Sequence, residues 1–330
     1  MKGYLNFWAS LVCFLLFNFC LSNLYAQVSF TTYHKRNDTE TKHLDSAYYT
    51  RIVNIDASGK DKVYRVEEFY TRNDSIKLSG ISTSPLYPFK FRGRKYELYE
   101  QGTIRSIEDY SDDSALVDSA FYFYPGNKLE KIVFYPTSSA KKGKLKIGDP
   151  IYVVYYDSLN NKTLENGTGF IRLSYSGGYE EGKMKNNLRE GEWKGKSGKD
   201  SFVETYTNNQ LISGIKTKAS GEVFKYDSSN FMSPPDYPGG ISRLMGFIAS
   251  NYVFPRGAIS NGVSGVVRIA FVVGKDGNVK DLVVENDLGF GTGEEGIRVI
   301  KRAGKWKPGI QRGEAVNVKY TLPIQLHLSN

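Results

Sequence analysis

The sequence is poor in the residues that most often carry catalysis, metal binding or cross-linking. Its 330 residues include only two cysteines, Cys13 and Cys20, and three histidines. Both cysteines lie within the first 20 residues, so the rest of the chain has no thiol. A disulfide framework, a zinc finger and thiol catalysis are therefore excluded. His34, His43 and His327 are scattered along the sequence, which gives a metal site or a histidine base little support.

Catalytic motifs are also missing. The sequence contains no G-x-S-x-G, H-E-x-x-H or Walker pattern. One G-x-G-x-x-G match, at residues 291–296, has too little chain after it for a nucleotide-binding βαβ pair, and Glu294 and Glu295 would repel a pyrophosphate. We expect no enzymatic activity, no catalytic residue, no cofactor and no metal. A secreted hydrolase with its site in residues 27–170 is an alternative that no motif supports.

The excess of positive charge is mild. There are 44 basic and 35 acidic residues, a formal net charge of +9, and the two signs are mixed along the chain. Such a balance permits attraction to anionic surfaces, but it forms no concentrated basic patch. We therefore expect no nucleic-acid partner.

Only the N-terminus contains a long apolar run. Met1 and Lys2 precede an apolar stretch over residues 7–21, and Ala26 is followed by the polar Gln27. This order predicts a secretory signal peptide over residues 1–26 and hence a periplasmic or extracellular protein. A membrane-spanning helix needs about 20 apolar residues. An uncleaved anchor nevertheless stays an alternative, because Leu24 is bulky for its position before the cleavage site.

Residues 27–225 have the pattern of an antiparallel β region. Short runs rich in tyrosine and valine, such as Val63–Tyr70 and Ala120–Tyr124, alternate with segments of glycine, asparagine, aspartate and proline. Period-two runs bounded by such residues are typical of β-hairpins. Helical periodicity is nearly absent, so the sequence predicts a mainly β region.

A weak repeat is visible in the last part of this region. Tyr179–Asn187 leads into Arg189–Lys194, and Glu204–Gly214 repeats the order of aromatic, polar turn, apolar residue and glycine. The spacing resembles the MORN-like hairpin repeats of bacterial secreted proteins, most clearly over residues 170–225. Stacked hairpins of that kind bury alternate aromatic side chains between neighbours. For residues 27–170, generic antiparallel β structure is the alternative.

The pattern of the sequence changes from β-hairpins to mixed helices and strands after a linker at residues 226–237. Residues 238–330 predict a small α+β domain, a helix followed by ββαβ. In chain order the elements are a helix with Ile241, Leu244, Met245 and Ile248 on one face, strands at Val266–Val273 and Val279–Glu285 joined by an Asp276–Gly277 turn, a helix from Gly293 to Ala303, and a strand from Ala315 to about Leu322.

The same periodicity assigns side chains to the core. Val267, Ile269, Phe271 and Val273 share one face of the first strand. Strict alternation places Val279 and Val283 on one side of the second strand, with Leu282 and Val284 on the other. In the second helix, Ile297 and Ile300 are predicted to point inward and Val299 partly so. Trp306 is interpreted as a core residue rather than as an exposed stacking platform.

This stretch resembles the C-terminal domain of TonB, in the form common among Bacteroidetes-type energy transducers. The motifs occur in the family's order: Pro238-Gly239-Gly240, Phe254–Ala258, Gly265–Val273 with its turn, Lys305–Gly309 and Val316–Ile324. The resemblance implies a periplasmic, cell-envelope protein in TonB-dependent import of siderophores, cobalamin or glycans. Its implied partners are the TonB-box peptides of outer-membrane receptors, the ExbB–ExbD motor if the N-terminus is an uncleaved inner-membrane anchor, and a second copy of the C-terminal domain.

The resemblance also implies where the peptide binds. In the family it adds as a strand beside the last strand of the domain. Elementary physics agrees, because a strand near the chain end is expected at a sheet edge with unpaired backbone groups. The alternative is a fully paired core strand. The predicted binding residues are Asn317, Val318, Lys319, Tyr320, Thr321 and Leu322.

Two departures from the family leave a second function open. The chain has only 11 prolines and no Pro-rich spacer; hairpin repeats stand in the spacer's place. Gly296 occupies a helical position at which glycine costs about 1 kcal/mol of helix propensity. The alternative function is a non-transducing envelope adaptor or scaffold that uses the hairpins to bind a partner.

Overall fold

The structure is a computed structural model that describes residues 29–56, 62–139 and 145–327. The predicted signal peptide lies outside these residues. The chain divides into two compact units, Met1–Gly167 and Thr168–Asn330. Among the described residues, no helix has the length and apolar character needed to span a bilayer.

The first unit is built from antiparallel strands, as its sequence pattern predicts. Its main sheet has the order β13-β12-β9-β8-β7-β6-β5-β4-β3-β1-β2, and β10 pairs with β11 separately. The strands are Ser29–His34 (β1), Glu40–Thr41 (β2), Tyr49–Asp56 (β3), Val63–Tyr70 (β4), Ile76–Ser82 (β5), Phe91–Leu98 (β6), Ile104–Tyr110 (β7), Leu116–Tyr124 (β8), Lys128–Tyr135 (β9), Thr137–Ser139 (β10), Leu145–Ile147 (β11), Ile151–Tyr156 (β12) and Lys162–Glu165 (β13).

The buried side of this sheet mixes apolar and charged side chains. Val53, Val66 and Leu78 form a small apolar cluster. Beside it on β3 and β4, Arg51 and Glu68 are 7% and 2% exposed. The Arg51 guanidinium lies 2.6 Å from the Glu68 carboxylate. Because the partners satisfy each other's charge, the pair can be buried without a free ion in the interior.

The second unit begins with six antiparallel strands, here called the hairpin array. They are Thr168–Tyr175 (β14), Gly178–Lys185 (β15), Leu188–Ser197 (β16), Asp200–Thr207 (β17), Gln210–Thr217 (β18) and Val223–Tyr226 (β19). Each pairs with the next. Tight turns at Asn186–Asn187 and Asn208–Asn209 have both residues at positive φ, the geometry that suits two-residue hairpins.

Glycines in the array lie beneath aromatic rings of the next strand. Gly182 pairs with Trp193, and a Cβ on Gly182 would stand 2.5 Å from that ring. Gly214 and Tyr226 repeat the arrangement three strands further on, between β18 and β19, at 2.2 Å. These contacts explain why glycine and aromatic residues recur together in the repeat. The MORN-like name itself stays a prediction.

The rest of the second unit carries its helices and a three-stranded antiparallel sheet, in the order β22-β21-β25. A separate small sheet has the order β20-β23-β24. The elements are Met232–Ser233 (β20), Gly240–Asn251 (α1), Arg256–Ser260 (α2), Gly265–Val273 (β21), Val279–Asn286 (β22), Thr292–Arg302 (α3), Gly309–Gln311 (β23), Glu314–Val316 (β24) and Val318–Leu326 (β25).

One apolar core joins these helices to the sheet. Leu244 and Ile248 of α1 and Val299 and Ile300 of α3 are at most 3% exposed and pack with the inward side of β21. All four predicted inward residues of β21 are buried, as is Trp306. One assignment is wrong and two differ in degree. Ile241 is 45% exposed, Val299 is fully buried, and Ile297 is only partly buried.

Two predictions about strands also fail. Val279 packs on the core together with Leu282 and Val284, and Val283 is 59% exposed. Asp281 has φ +53°, and the β21–β22 register shifts there, so strict alternation is broken. The strand predicted from Ala315 to Leu322 is two strands, because β24 turns back onto β23.

Gly296 has a structural reason that the sequence did not reveal. It lies on the buried side of α3, and a Cβ there would stand 2.4 Å from Cδ1 of Ile269 on β21. The cost in helix propensity is therefore offset by close approach of the helix to the sheet.

Candidate functional site

The predicted binding residues lie at the start of the last strand. Val318–Leu322 are the first five residues of β25, which continues to Leu326, and Asn317 precedes it. β25 pairs with β21 over nine residue pairs without a register shift. Since β25 is the outer member of the β22-β21-β25 sheet, no strand among the described residues covers its other side. We call this side the open edge.

Side chains of β25 alternate between the core and the solvent. Leu322, Ile324 and Leu326 are at most 3% exposed. Tyr320 is partly buried against the same core, with its ring centroid 5.2 Å from that of Trp306. The intervening residues Lys319, Thr321, Pro323 and Gln325 are exposed. The strand is thus fixed by its inward side chains while its backbone remains at the sheet edge.

Two observations show which backbone groups face the open edge. The Val266 carbonyl of β21 accepts a hydrogen bond from Asn286 of β22 at 2.5 Å, so it points away from its β25 partner Gln325. In an antiparallel ladder, alternate residues face alternate neighbours. Pro323 lies two residues from Gln325, so its backbone faces the same way. Since proline has no N–H to donate, it fits a position that faces away from β21. The N–H and C=O groups of Lys319 and Thr321 therefore face outward.

The opposite edge of the sheet differs. Along β22 the pairing with β21 shifts register twice, and Asp281 adopts the left-handed conformation. Lys280 and Asp281 are both exposed. Bulges and charges are features that discourage strand pairing. Of the two edges, β25 is the regular one.

The electrostatics around the open edge are weak. Lys319 Nζ lies 3.0 Å from Glu285 Oε1, with the Lys319 side chain 69% exposed. The Thr321 hydroxyl donates to the same carboxylate at 3.4 Å. Exposed pairs of this kind contribute about 0–1 kcal/mol. The chemistry offered by this surface is hydrogen bonding by exposed backbone groups.

Asn317, the first residue of the predicted binding site, contacts the turn between β21 and β22. It lies between β24 and β25, and its side-chain carbonyl accepts the backbone N–H of Lys275 at 3.1 Å. Sequence reasoning missed the neighbouring Glu314, whose pKa is lowered to about 2. Burial of Glu314 opposes ionisation, but hydrogen bonds from Lys216, Lys275 and Lys218 outweigh it. No local pattern links Glu314 to lysines almost a hundred residues earlier.

The rejected nucleotide motif forms a helix cap. Asp287 accepts hydrogen bonds from the Thr292 hydroxyl at 2.7 Å and from the Gly293 N–H at 3.0 Å, at the start of α3. The Thr292 hydrogen bond is the main cause of the lowered pKa of Asp287. The Asp287 carboxylate thus satisfies hydrogen-bond donors at the start of this helix.

A small α+β domain with a regular, uncovered strand at one sheet edge belongs to the class of domains suited to strand addition. Residues 250–328 match the family model described as Gram-negative bacterial TonB protein C-terminal. This part of the chain is therefore a TonB C-terminal domain, which confirms the resemblance over these residues. It indicates a TonB-like role in transport at the cell envelope. No curated protein matches the chain.

Proposed function

We propose that the chain is a non-enzymatic periplasmic protein whose TonB-type domain binds the TonB box of outer-membrane receptors at the open edge of β25. It thereby takes part in TonB-dependent uptake of siderophores, cobalamin or glycans. The observation that supports this most directly is the regular β25–β21 pairing, which leaves Lys319 and Thr321 with outward backbone groups.

The affinity expected of such a site is modest. Lys319 and Thr321 each offer one N–H and one C=O, and Pro323 offers only a carbonyl. Each backbone hydrogen bond contributes about 0.5–1.5 kcal/mol net. A short extended peptide would therefore bind reversibly, as a transport cycle requires, and Pro323 would limit the length of the pairing.

Titrating the full chain with fluorescent TonB-box peptides tests this proposal. Thr321→Pro removes one outward N–H without removing a bond to β21, and we expect it to weaken binding about tenfold or more. Thr321→Val keeps the N–H and should bind like the wild type. No binding at high micromolar peptide would disprove the receptor role.

Modified peptides test the mode of binding without changing the protein. A peptide N-methylated at one position loses one backbone donor. If the peptide adds as a strand, methylation should weaken binding at every second position only, since alternate N–H groups face β25. Equal effects at all positions would contradict strand addition.

The adaptor function is supported by the outward side of the array. Val203 and Ile215 pair across β17 and β18 and are 43% and 45% exposed, and Val223 on β19 is 53% exposed. Val203→Lys with Ile215→Lys should then abolish partner binding or localisation while uptake persists. Loss of neither would rule out this surface as the adaptor site.

Coupling to ExbB–ExbD requires an uncleaved N-terminal anchor. N-terminal sequencing of the membrane and soluble forms tests it. A start at Gln27 in all material would argue against direct coupling to an inner-membrane motor, and an intact Met1 would support it. Assembly through the C-terminal domain stays a separate prediction, for which sedimentation of the purified chain is the measurement.

A further inference from the structure

The start of β25 is tied to a short hairpin. β23 and β24 are joined by a turn at Arg312 and Gly313, both at positive φ, and only Asn317 separates β24 from β25. Whatever holds this hairpin therefore also holds the beginning of the strand that carries the open edge.

Glu314 fastens the hairpin to the array. It is 6% exposed, and its carboxylate accepts hydrogen bonds from Lys216 and from Lys218 (3.1 Å), both on or directly after β18. Lys275, on the turn between β21 and β22, adds a third ammonium at 2.9 Å. One carboxylate thus joins two lysines of the array to a turn of the TonB-type domain.

Arg312 forms a second attachment. Its Nε lies 2.7 Å from Oε1 of Glu204 on β17, a residue that is completely buried. Its guanidinium lies 3.7 Å from the ring centroid of Phe202. A guanidinium stacked on a ring and paired with a carboxylate gives a well-defined geometry.

Tyrosines complete the surroundings of Glu204. The hydroxyls of Tyr206 and Tyr226 donate to its carboxylate at 2.8 Å and 2.7 Å. Burial raises the pKa of both tyrosines, and Glu204 raises it further, so both stay protonated donors. Glu204 is therefore fully engaged, and loss of Arg312 would leave a buried carboxylate without its cation.

The backbone of the connecting segment supports the same attachment. Residues 230–233 run beside the hairpin: Gly313 N–H donates to the Asn230 carbonyl at 3.2 Å and Arg312 N–H to the Phe231 carbonyl at 2.5 Å. β20 pairs with β23 as a third strand. The segment predicted as a linker is therefore hydrogen-bonded to the domain that it precedes.

We propose that Glu314 and Arg312 are positioning residues through which the hairpin array holds the start of β25 in its peptide-accepting form. This inference rests on the proposed function of β25 as the peptide site. It gives the array a role in peptide binding: the array supports the binding strand, to which it is joined through Asn317, in the place where the family has a Pro-rich spacer.

Hydrogen exchange of the full, peptide-free chain tests the inference. Lys216→Met changes only the array, and Glu314→Gln changes only the hairpin. Both should speed exchange of the β25 amides that bond to β21, those of Tyr320 and Leu322, about tenfold. The amides that pair β21 with β22 away from the Lys275 turn should be unchanged. Glu222→Gln is the matched control, because Glu222 pairs with Lys218 but is 57% exposed and does not contact the hairpin.

Peptide titration of the same variants completes the test. Lys216→Met and Glu314→Gln should weaken binding several-fold, Glu222→Gln should not, and Glu314→Asp, which keeps the carboxylate, should recover part of the affinity. If the β25 amides of both Lys216→Met and Glu314→Gln exchanged at the wild-type rate, the inference would be overturned. A wild-type chain that binds no peptide would instead disprove the proposed function, whatever the exchange shows.

Discussion

The first unit and the TonB-type domain bury their strands by different means. In the domain, β21 packs Ile269 and Phe271 against apolar helix residues, an interaction without strict direction. In the first unit, Arg51 and Glu68 stand beside a small apolar cluster, and further along the sheet Lys95 lies 2.7 Å from Glu108. The stability of the apolar core depends on how much buried volume is filled. The stability of the core in the first unit depends on every charged partner being present.

The largest effect should come from breaking one of the buried pairs. Glu68→Ala would leave Arg51, which is 7% exposed, without its carboxylate. We expect the free energy of unfolding of the first unit to fall by about 3–5 kcal/mol. Urea unfolding with strand-resolved hydrogen exchange measures it.

A matched exposed pair provides the control. Arg72 lies 3.7 Å from Glu100 with its own side chain 87% exposed, so Arg72→Ala should change stability by less than about 0.5 kcal/mol. If both substitutions lowered the free energy of unfolding equally, the core of the first unit would not depend on its buried ion pair.

The apolar core should respond gradually to volume. Ile300 is completely buried in α3. Ile300→Ala should cost about 2–5 kcal/mol and Ile300→Val about 0.5–1.5 kcal/mol, because each removed methyl group leaves a cavity in proportion to its size. Ile241→Ala, on the exposed side of α1, is the control for thermal or urea unfolding. Equal losses for the two Ile300 variants would show that shape, not volume, dominates.

Acid should weaken buried ion pairs in both units and leave the apolar core unaffected. The pKa of Glu314 lies at about 2 in the folded chain, below its ordinary value of 4.5. Its contribution to stability is therefore complete above about pH 4.5 and is lost as the pH falls toward about 2. The pKa of Glu97, in the first unit, is lowered as well: its burial acts against the shift, and Lys95 outweighs it.

Comparing the wild type with Glu314→Gln isolates this contribution. The wild-type second unit should lose stability to urea between about pH 4.5 and about pH 2, and the variant should lose less over the same interval. The apolar core has no group that titrates in this range. Parallel pH curves for the two proteins would refute the assignment to Glu314.

The smallest effect is expected at the exposed pair of the open edge. Lys319→Ala removes the contact with Glu285, and unfolding should change by less than about 0.5 kcal/mol because the lysine is 69% exposed. Differential scanning calorimetry suffices to check it. A larger loss in the free energy of unfolding would mean that the Lys319–Glu285 pair stabilises the fold as the buried pairs do.

The contrast between the cores also explains what the sequence could predict. In the TonB-type domain the inward positions are apolar, so the period-two pattern of β21 identifies its core face directly. In the first unit, Arg51, Glu68 and Lys95 occupy inward positions, and their residue types are those of a surface. The strands there were predictable, but which side of them is buried was not.

Other features depended on contacts that no local pattern contains. The positive φ of Asp281 reverses the alternation within β22, and aspartate at that position is not a distinctive signal. The open edge was predictable because the last strand of a short domain has few neighbours to pair with. The attachment of Glu314 was not, because Lys216 is fixed by the fold of the array rather than by the sequence around Glu314.

The glycines beneath the rings of the array constrain how this protein can change over time. Replacing Gly182 alone would collide with Trp193, and replacing Trp193 alone would leave a hole above Gly182. A single substitution at either residue is therefore destabilising, whereas duplication of the whole hairpin would preserve the contact between the glycine and the ring. The array is therefore expected to gain or lose length by duplication or deletion of entire hairpins, with β17 and β18 kept because they carry Glu204 and Lys216, the partners of Arg312 and Glu314.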